Sequence, residues 1–200
     1  MKHAIRHLKK ADPILAGLIA KVGPYQLATR EPSFETLCRS IVYQQVSGKA
    51  AATIFARLAK EVGRRFSARA LLALEPADLR ACGLSQQKAS YVRDLAERVV
   101  KRQIDFRKLA SLSDEEVIER LTQVKGVGVW TAQMFLIFAL ERPNVLPVLD
   151  LGVKNAVIRA YGLETPPKPT DLAKIAEPWH PYCSVATWYL WRSLDGPAEI

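Results

Sequence analysis

The chain has 200 residues, of which 49% are hydrophobic and 24% charged, with a formal net charge of +9. This balance excludes a disordered chain, and the absence of an apolar run near the ~20 residues that cross a bilayer excludes a helical membrane span. The excess of lysine and arginine favours a polyanionic partner, because basic surface attracts phosphate at long range.

The opening stretch, MKHAIRHLKKADP, lacks the apolar core and small-residue cleavage site of a secretory signal, so a cytoplasmic location is expected. Helix signals begin by Asp12 and continue with Ser33 before FETLCRSIVYQQ, Ser47 before GKAAATIFARLAKEV, and Ser85 before QQKASYVRDLAERVVKR. Ser113 opens SDEE, a capping box. Each serine can accept a bond from an amide that the first helical turn would leave orphaned. In YVRDLAERVV, the spacing of Tyr91, Val92, Leu95 and Val99 gives an apolar stripe with charges elsewhere. Gly83 and Gly162 are predicted helix stops, and GLETPPKPT, residues 162 to 170, is predicted irregular because prolines forbid helix. Strand signals are nearly absent, so an all-α protein of about ten to twelve helices is predicted. Cys38, Cys82 and Cys183 are far apart and read as reduced, mostly buried thiols, too few for an iron–sulfur cluster. His3, His7 and His180 lack metal-ligand spacing and read as surface residues.

The segment VKGVGVW, residues 124 to 130, lies between the helical DEEVIERLTQ and the apolar TAQMFLIFAL. Gly126 and Gly128 permit positive φ and close approach of a partner, and amides freed around Val127 can seat a phosphate oxygen, with Lys125 adding charge. Taken alone, such a pair reads first as an ordinary helix connection with a glycine stop. Downstream, LPVLDLGVKNAV places Asp150 at a predicted helix start, 150 − 128 = 22 residues past the second glycine. Taken alone, Asp150 is a good N-cap.

Together these pieces resemble a known family. L-x-x-V-K-G-V-G-V-W-T-A resembles the helix-hairpin-helix motif, with Lys125 where the family often has proline; such a motif binds DNA backbone without reading sequence. With Asp150 at this distance, the chain resembles the helix-hairpin-helix DNA glycosylase superfamily. IVYQQVSGKAA, LSQQKASYVRDLA, the hairpin, the Asp150 segment and EPWHPYCSVATWYLW match, in order, its 3-methyladenine DNA glycosylase II (alkylation-repair) branch. The match is to a compact form, without the N-terminal mixed α/β domain of larger members. The resemblance implies an all-α, two-lobed fold with the active-site cleft between lobes: 33–142 as the hairpin lobe, and 1–32 with 143–200 as the second.

It also implies roles. Asp150 is the catalytic carboxylate. Trp130 and Trp191 match aromatics of the base pocket, with Trp179, Tyr182 and Trp188 as supporting candidates. Gln45 is the wedge that fills the gap left by a flipped nucleotide, while Lys125, Gly126, Val127, Gly128 and Lys154 contact DNA. The main-chain carbonyls of Thr122, Val124 and Gly126 form a site for Na+ or K+; no other cofactor is implied. Members that also cut the strand carry a lysine where this chain has Trp130, so the expected activity is monofunctional: hydrolytic excision of alkylated purines from double-stranded DNA, by a monomer. A non-catalytic damaged-DNA-binding module, or a bifunctional glycosylase/lyase using Lys154, are the competing readings.

Overall fold

Short polar side chains start the helices. In the computed structural model, which describes residues 1–194, Ser33 Oγ accepts the Thr36 amide at 3.2 Å, Ser47 the Ala50 amide at 3.4 Å, and Ser85 the Lys88 amide at 3.2 Å. Ser113 and Glu116 close a reciprocal capping box, the Ser113 amide donating to Glu116 Oε2 at 2.8 Å. These bonds satisfy first-turn amides locally, which is why they are readable without tertiary information.

The resulting order is α1 (Lys2–Ala11), α2 (Pro13–Val22), α3 (Phe34–Tyr43), α4 (Gly48–Val62), α5 (Ala68–Leu72), α6 (Pro76–Ala81), α7 (Gln86–Val100) and α8 (Phe106–Leu109). It continues with α9 (Asp114–Thr122), α10 (Val129–Phe138), α11 (Leu151–Tyr161), α12 (Pro169–Ala176), a 3-10 turn (Glu177–Trp179) and α13 (Cys183–Leu194). No strand occurs among the described residues, and no helix there is long and apolar enough to cross a membrane. The irregular segment is shorter than expected. Helix resumes at Pro169, because proline is tolerated at the first helical position, where its missing N–H would have had no intrahelical acceptor.

The chain divides into two compact units, Met1–Thr29 with Leu136–Ile200, and Arg30–Phe135, so one division falls inside α10. In the second of these, α7 packs against α3 and α5, and α3 against α4, around fully buried Leu37, Cys38, Ile41, Leu58, Leu71, Val92 and Leu95. In the first, α13 packs on α2 and α11 around Leu8, Leu15, Val157, Leu172 and Leu190. Buried Asp12 organises this core: it caps α2 through the Ile14 and Leu15 amides and also accepts from Tyr161 Oη and Trp179 Nε1. All three cysteines are free and buried, and no group of three His, Cys, Asp or Glu residues among the described residues could hold a metal ion.

Candidate nucleic-acid interface and catalytic carboxylate

The six residues between α9 and α10 form the glycine hairpin. Gly126 takes φ +78°, and a Cβ there would lie 2.0 to 2.7 Å from ring atoms of Tyr91 on α7, so both backbone and packing demand glycine. Gly128 differs from the expectation. It needs no positive φ, has nothing within 4 Å of where a Cβ would stand, and opens α10 by accepting the Ala132 amide at 3.0 Å. Its contribution is open space at a helix start, where first-turn amides have no acceptor within the helix and an anion is favoured. The Val127 amide, in contrast, donates to Val124 O at 3.0 Å inside the turn and Val127 is 5% exposed, so this residue shapes the hairpin rather than presenting an outward donor.

The hairpin is tied to α7 by a contact absent from the sequence reading. The Lys125 amide donates to Asp94 Oδ2 at 3.0 Å, and Arg98 pairs with the same oxygen at 2.9 Å, leaving the exposed Lys125 side chain directed by a fixed backbone. Burial acts to raise the Asp94 pKa, but the Lys125 amide and Arg98 outweigh it and hold the carboxyl below its ordinary value. A depressed folded pKa gives stability that is fully present above the unfolded value, ~3.9, and lost as pH falls through the folded one. Asp94→Asn should therefore lower stability by about 1–2 kcal/mol at neutral pH and flatten the loss below about pH 4, measured by urea unfolding across pH 3 to 7.

Next to the hairpin in the same unit, the turn after α3 carries Gln45, exposed and at φ +53°, followed by Val46, which is 38% exposed. Gln44 reaches back to the hairpin, its Nε2 donating to Gly126 O at 2.9 Å and Thr131 Oγ1 at 3.2 Å. Lys88 Nζ donates to Val42 O and Gln44 O, each at 2.6 Å. Gln44, Gln45, Val46, Lys88 and Gly126, with Ser85, Gln87 and Tyr91, line an open groove of about 450 Å³. Of the carbonyls expected to hold a monovalent cation, Gly126 O and Val124 O already accept N–H groups, from Gln44 and Val127. Each of these two oxygens keeps a second lone pair. Thr122 directs its hydroxyl to Ile118 O at 2.8 Å, as helical threonine commonly does.

In the other unit, Asp150 stands at the N-cap of α11 and is 8% exposed. Its Oδ1 accepts the Val153 amide at 2.7 Å and the indole N–H of Trp191 at 2.8 Å. Cap and candidate carboxylate are thus one residue. Trp191 is held in turn by Phe138, stacked at 5.6 Å and 14° between ring planes. The close approach depends on Gly152, where a Cβ would stand 3.0 Å from Trp191 Cδ1 and 3.1 Å from Asp150 Oδ1. Phe138 and Gly152 were missed by sequence reasoning; the glycine two places after Asp150, inside a predicted helix, was the available signal for the second. Lys154, one turn along and half-buried, has no ion pair among the described residues.

The structure sorts the expected aromatics. Trp130 is 41% exposed on α10. Trp179 is corrected to a core residue: it is 0% exposed, and its indole N–H is satisfied by Asp12 at 2.8 Å, so no ring face is presented. Trp188 is likewise core, 7% exposed and packed on Tyr25 and Tyr189 at 4.7 and 4.9 Å. Tyr182 is half-buried and turned to the histidines of α1, bonded to His3 Nδ1 at 2.9 Å and edge-on to His7.

A glycine hairpin between two helices, anchored from behind and open in front, within an all-helical chain, defines a helix-hairpin-helix protein. The chain belongs to the HhH-GPD superfamily of base excision DNA repair proteins, whose family profile matches residues 38–181. It is 35% identical to DNA-3-methyladenine glycosylase 1 of Schizosaccharomyces pombe, over 94% of this chain and 85% of that protein. A crystal structure of DNA-3-methyladenine glycosidase from Bacillus halodurans matches with a TM-score of 0.87 at 35% identity, covering 95% of this chain and 88% of that one. The structure of S. pombe 3-methyladenine DNA glycosylase (Mag1) in complex with abasic DNA matches with a TM-score of 0.86 at 34% identity, covering 96% and 97%.

Proposed function

We propose that the protein is a monofunctional DNA glycosylase that excises alkylated purines from double-stranded DNA and leaves an abasic site. The observation that carries this reading is the Asp150 carboxylate, nearly buried and fixed by the Val153 amide and the Trp191 indole, in a chain of the HhH-GPD family. Methylation at N3 of adenine or N7 of guanine makes the base cationic and a good leaving group, so its departure needs no added proton. As the glycosidic bond loosens, the sugar approaches an oxocarbenium ion, and a preorganised anion in a site of low dielectric stabilises that charge without reorganising. Water then completes the reaction, because Trp130 stands where strand-cutting relatives need a nucleophilic amine.

The other roles follow from the same chemistry. Trp130 and Trp191 are proposed to meet the cationic base, for which an electron-rich ring contributes roughly 0.5–2 kcal/mol. Trp191 offers what remains after Phe138 covers one face. Gln45 is proposed as the wedge, and Lys125, Gly126, Gly128 and Lys154 as backbone contacts. Na+ or K+, when bound at the hairpin carbonyls, would add positive charge toward a phosphate. We place this work on chromosomal DNA, in the cytoplasm or nucleoid.

The test is incubation with methylated duplex DNA. Free methylated purine and an intact strand that breaks only after hot alkali are expected, with no complex trapped by borohydride. Trapping that is lost on replacing Lys154 would make that lysine a nucleophile. Binding without base release across alkylated substrates would favour a damage-recognition module.

A further inference from the structure

The turn that carries Gln45 is held in a conformation its own sequence does not favour. Glutamine at φ +53° lies in the left-handed region, disfavoured for a residue with a Cβ, and no glycine occupies the turn between Tyr43 and Ser47. Contacts that reach beyond the turn must hold it, and the side chains of Lys88 and Gln44 make them. Lys88 Nζ bridges Val42 O, in the last turn of α3, and Gln44 O, the carbonyl of the peptide that leads into Gln45, both at 2.6 Å. This satisfies a helix C-terminal carbonyl with a cation and fixes the plane of the 44–45 peptide. Gln44 then ties the same turn to the hairpin through Gly126 O at 2.9 Å and Thr131 Oγ1 at 3.2 Å. A lysine has no need of such a place for its own sake. Burial lowers its pKa, and among the described residues its ammonium meets carbonyls rather than a carboxylate.

We infer that Lys88 and Gln44 are positioning residues for nucleotide flipping: they preset the Gln45 turn and lock it in register with the phosphate-holding hairpin. This rests on Gln45 acting as the wedge of the proposed glycosylase. Gripping the backbone at Gly126 and Gly128 then also places Gln45, since Gln44 joins the two segments directly. Neither residue touches the reacting atoms.

The experiment compares methylated duplex with methylated single-stranded DNA, because only the duplex requires a base to be unpaired and its gap filled. Lys88→Met keeps the aliphatic stem and removes the bridge. Gln44→Leu provides a second variant that leaves Lys88 in place, and thermal unfolding checks that each is folded. Single-turnover base release from duplex should fall at least ~10-fold in either variant, while release from single strands stays within about 2-fold. A duplex with 2-aminopurine beside an abasic site should show a fluorescence change with wild type that is diminished in both variants. Equal losses on both substrates, or no loss on either, would overturn the inference. Wild-type protein that releases no base from either substrate would defeat the glycosylase reading instead, and the fluorescence comparison would still decide whether Lys88 and Gln44 set the turn.

Discussion

Asp150→Asn should leave the protein folded and binding DNA, and slow base release by at least ~100-fold, roughly 2.7 kcal/mol of barrier. Asparagine is as good an N-cap as aspartate, and its side-chain oxygen can still accept from the Val153 amide and the Trp191 indole. The shape of the site is preserved and only the charge is removed. Single-turnover kinetics on methylated duplex, with filter binding on the same DNA, make the comparison; near-normal rates would take Asp150 out of the chemistry. The change also separates the two roles that coincide at this residue, because a capping function alone predicts no kinetic effect.

Gly126→Ala should cost both stability and DNA affinity. An L-residue at φ +78° carries about 1–2 kcal/mol of backbone strain, and the new methyl would overlap the Tyr91 ring down to its Cγ at 2.7 Å, too near the root of that side chain for a simple rotation to clear. Tyr91→Ala in the same chain should restore the steric part and leave the backbone part, so a double-mutant cycle on unfolding free energy resolves the two. Gly128→Ala, with open space around it, should be almost silent in stability. Gly128→Asp should weaken binding to damaged and undamaged duplexes by similar factors, since a backbone contact carries no information about the base. Loss confined to methylated DNA would assign the hairpin to base recognition.

Legibility from sequence varied with the range of the interaction. The serine caps and the Ser113–Glu116 box act within three residues, and all four helix starts lie where their residue types place them. The extent of the irregular segment was misjudged at Pro169, because proline forbids a helix interior but suits its first turn. The two glycines of the hairpin read alike in sequence yet serve differently, one for φ and close packing, the other for open space, since what approaches each is decided by α7.

By itself the sequence determined an all-helical chain, the place of its hairpin, the start of α11 at Asp150 and the absence of a lysine at position 130, since these are matters of local bonding, spacing and residue type. Only tertiary structure decided which aromatics are core. Trp179 and Trp188 are enclosed by residues distant in the chain, whereas Trp191 is turned to a carboxylate 41 residues away. It also decided that Lys88 serves carbonyls 44 and 46 residues back, and that Asp94 anchors an amide 31 residues ahead. Contacts between side chains so far apart leave no period or motif in the chain, because they depend on how packed helices bring separate surfaces together.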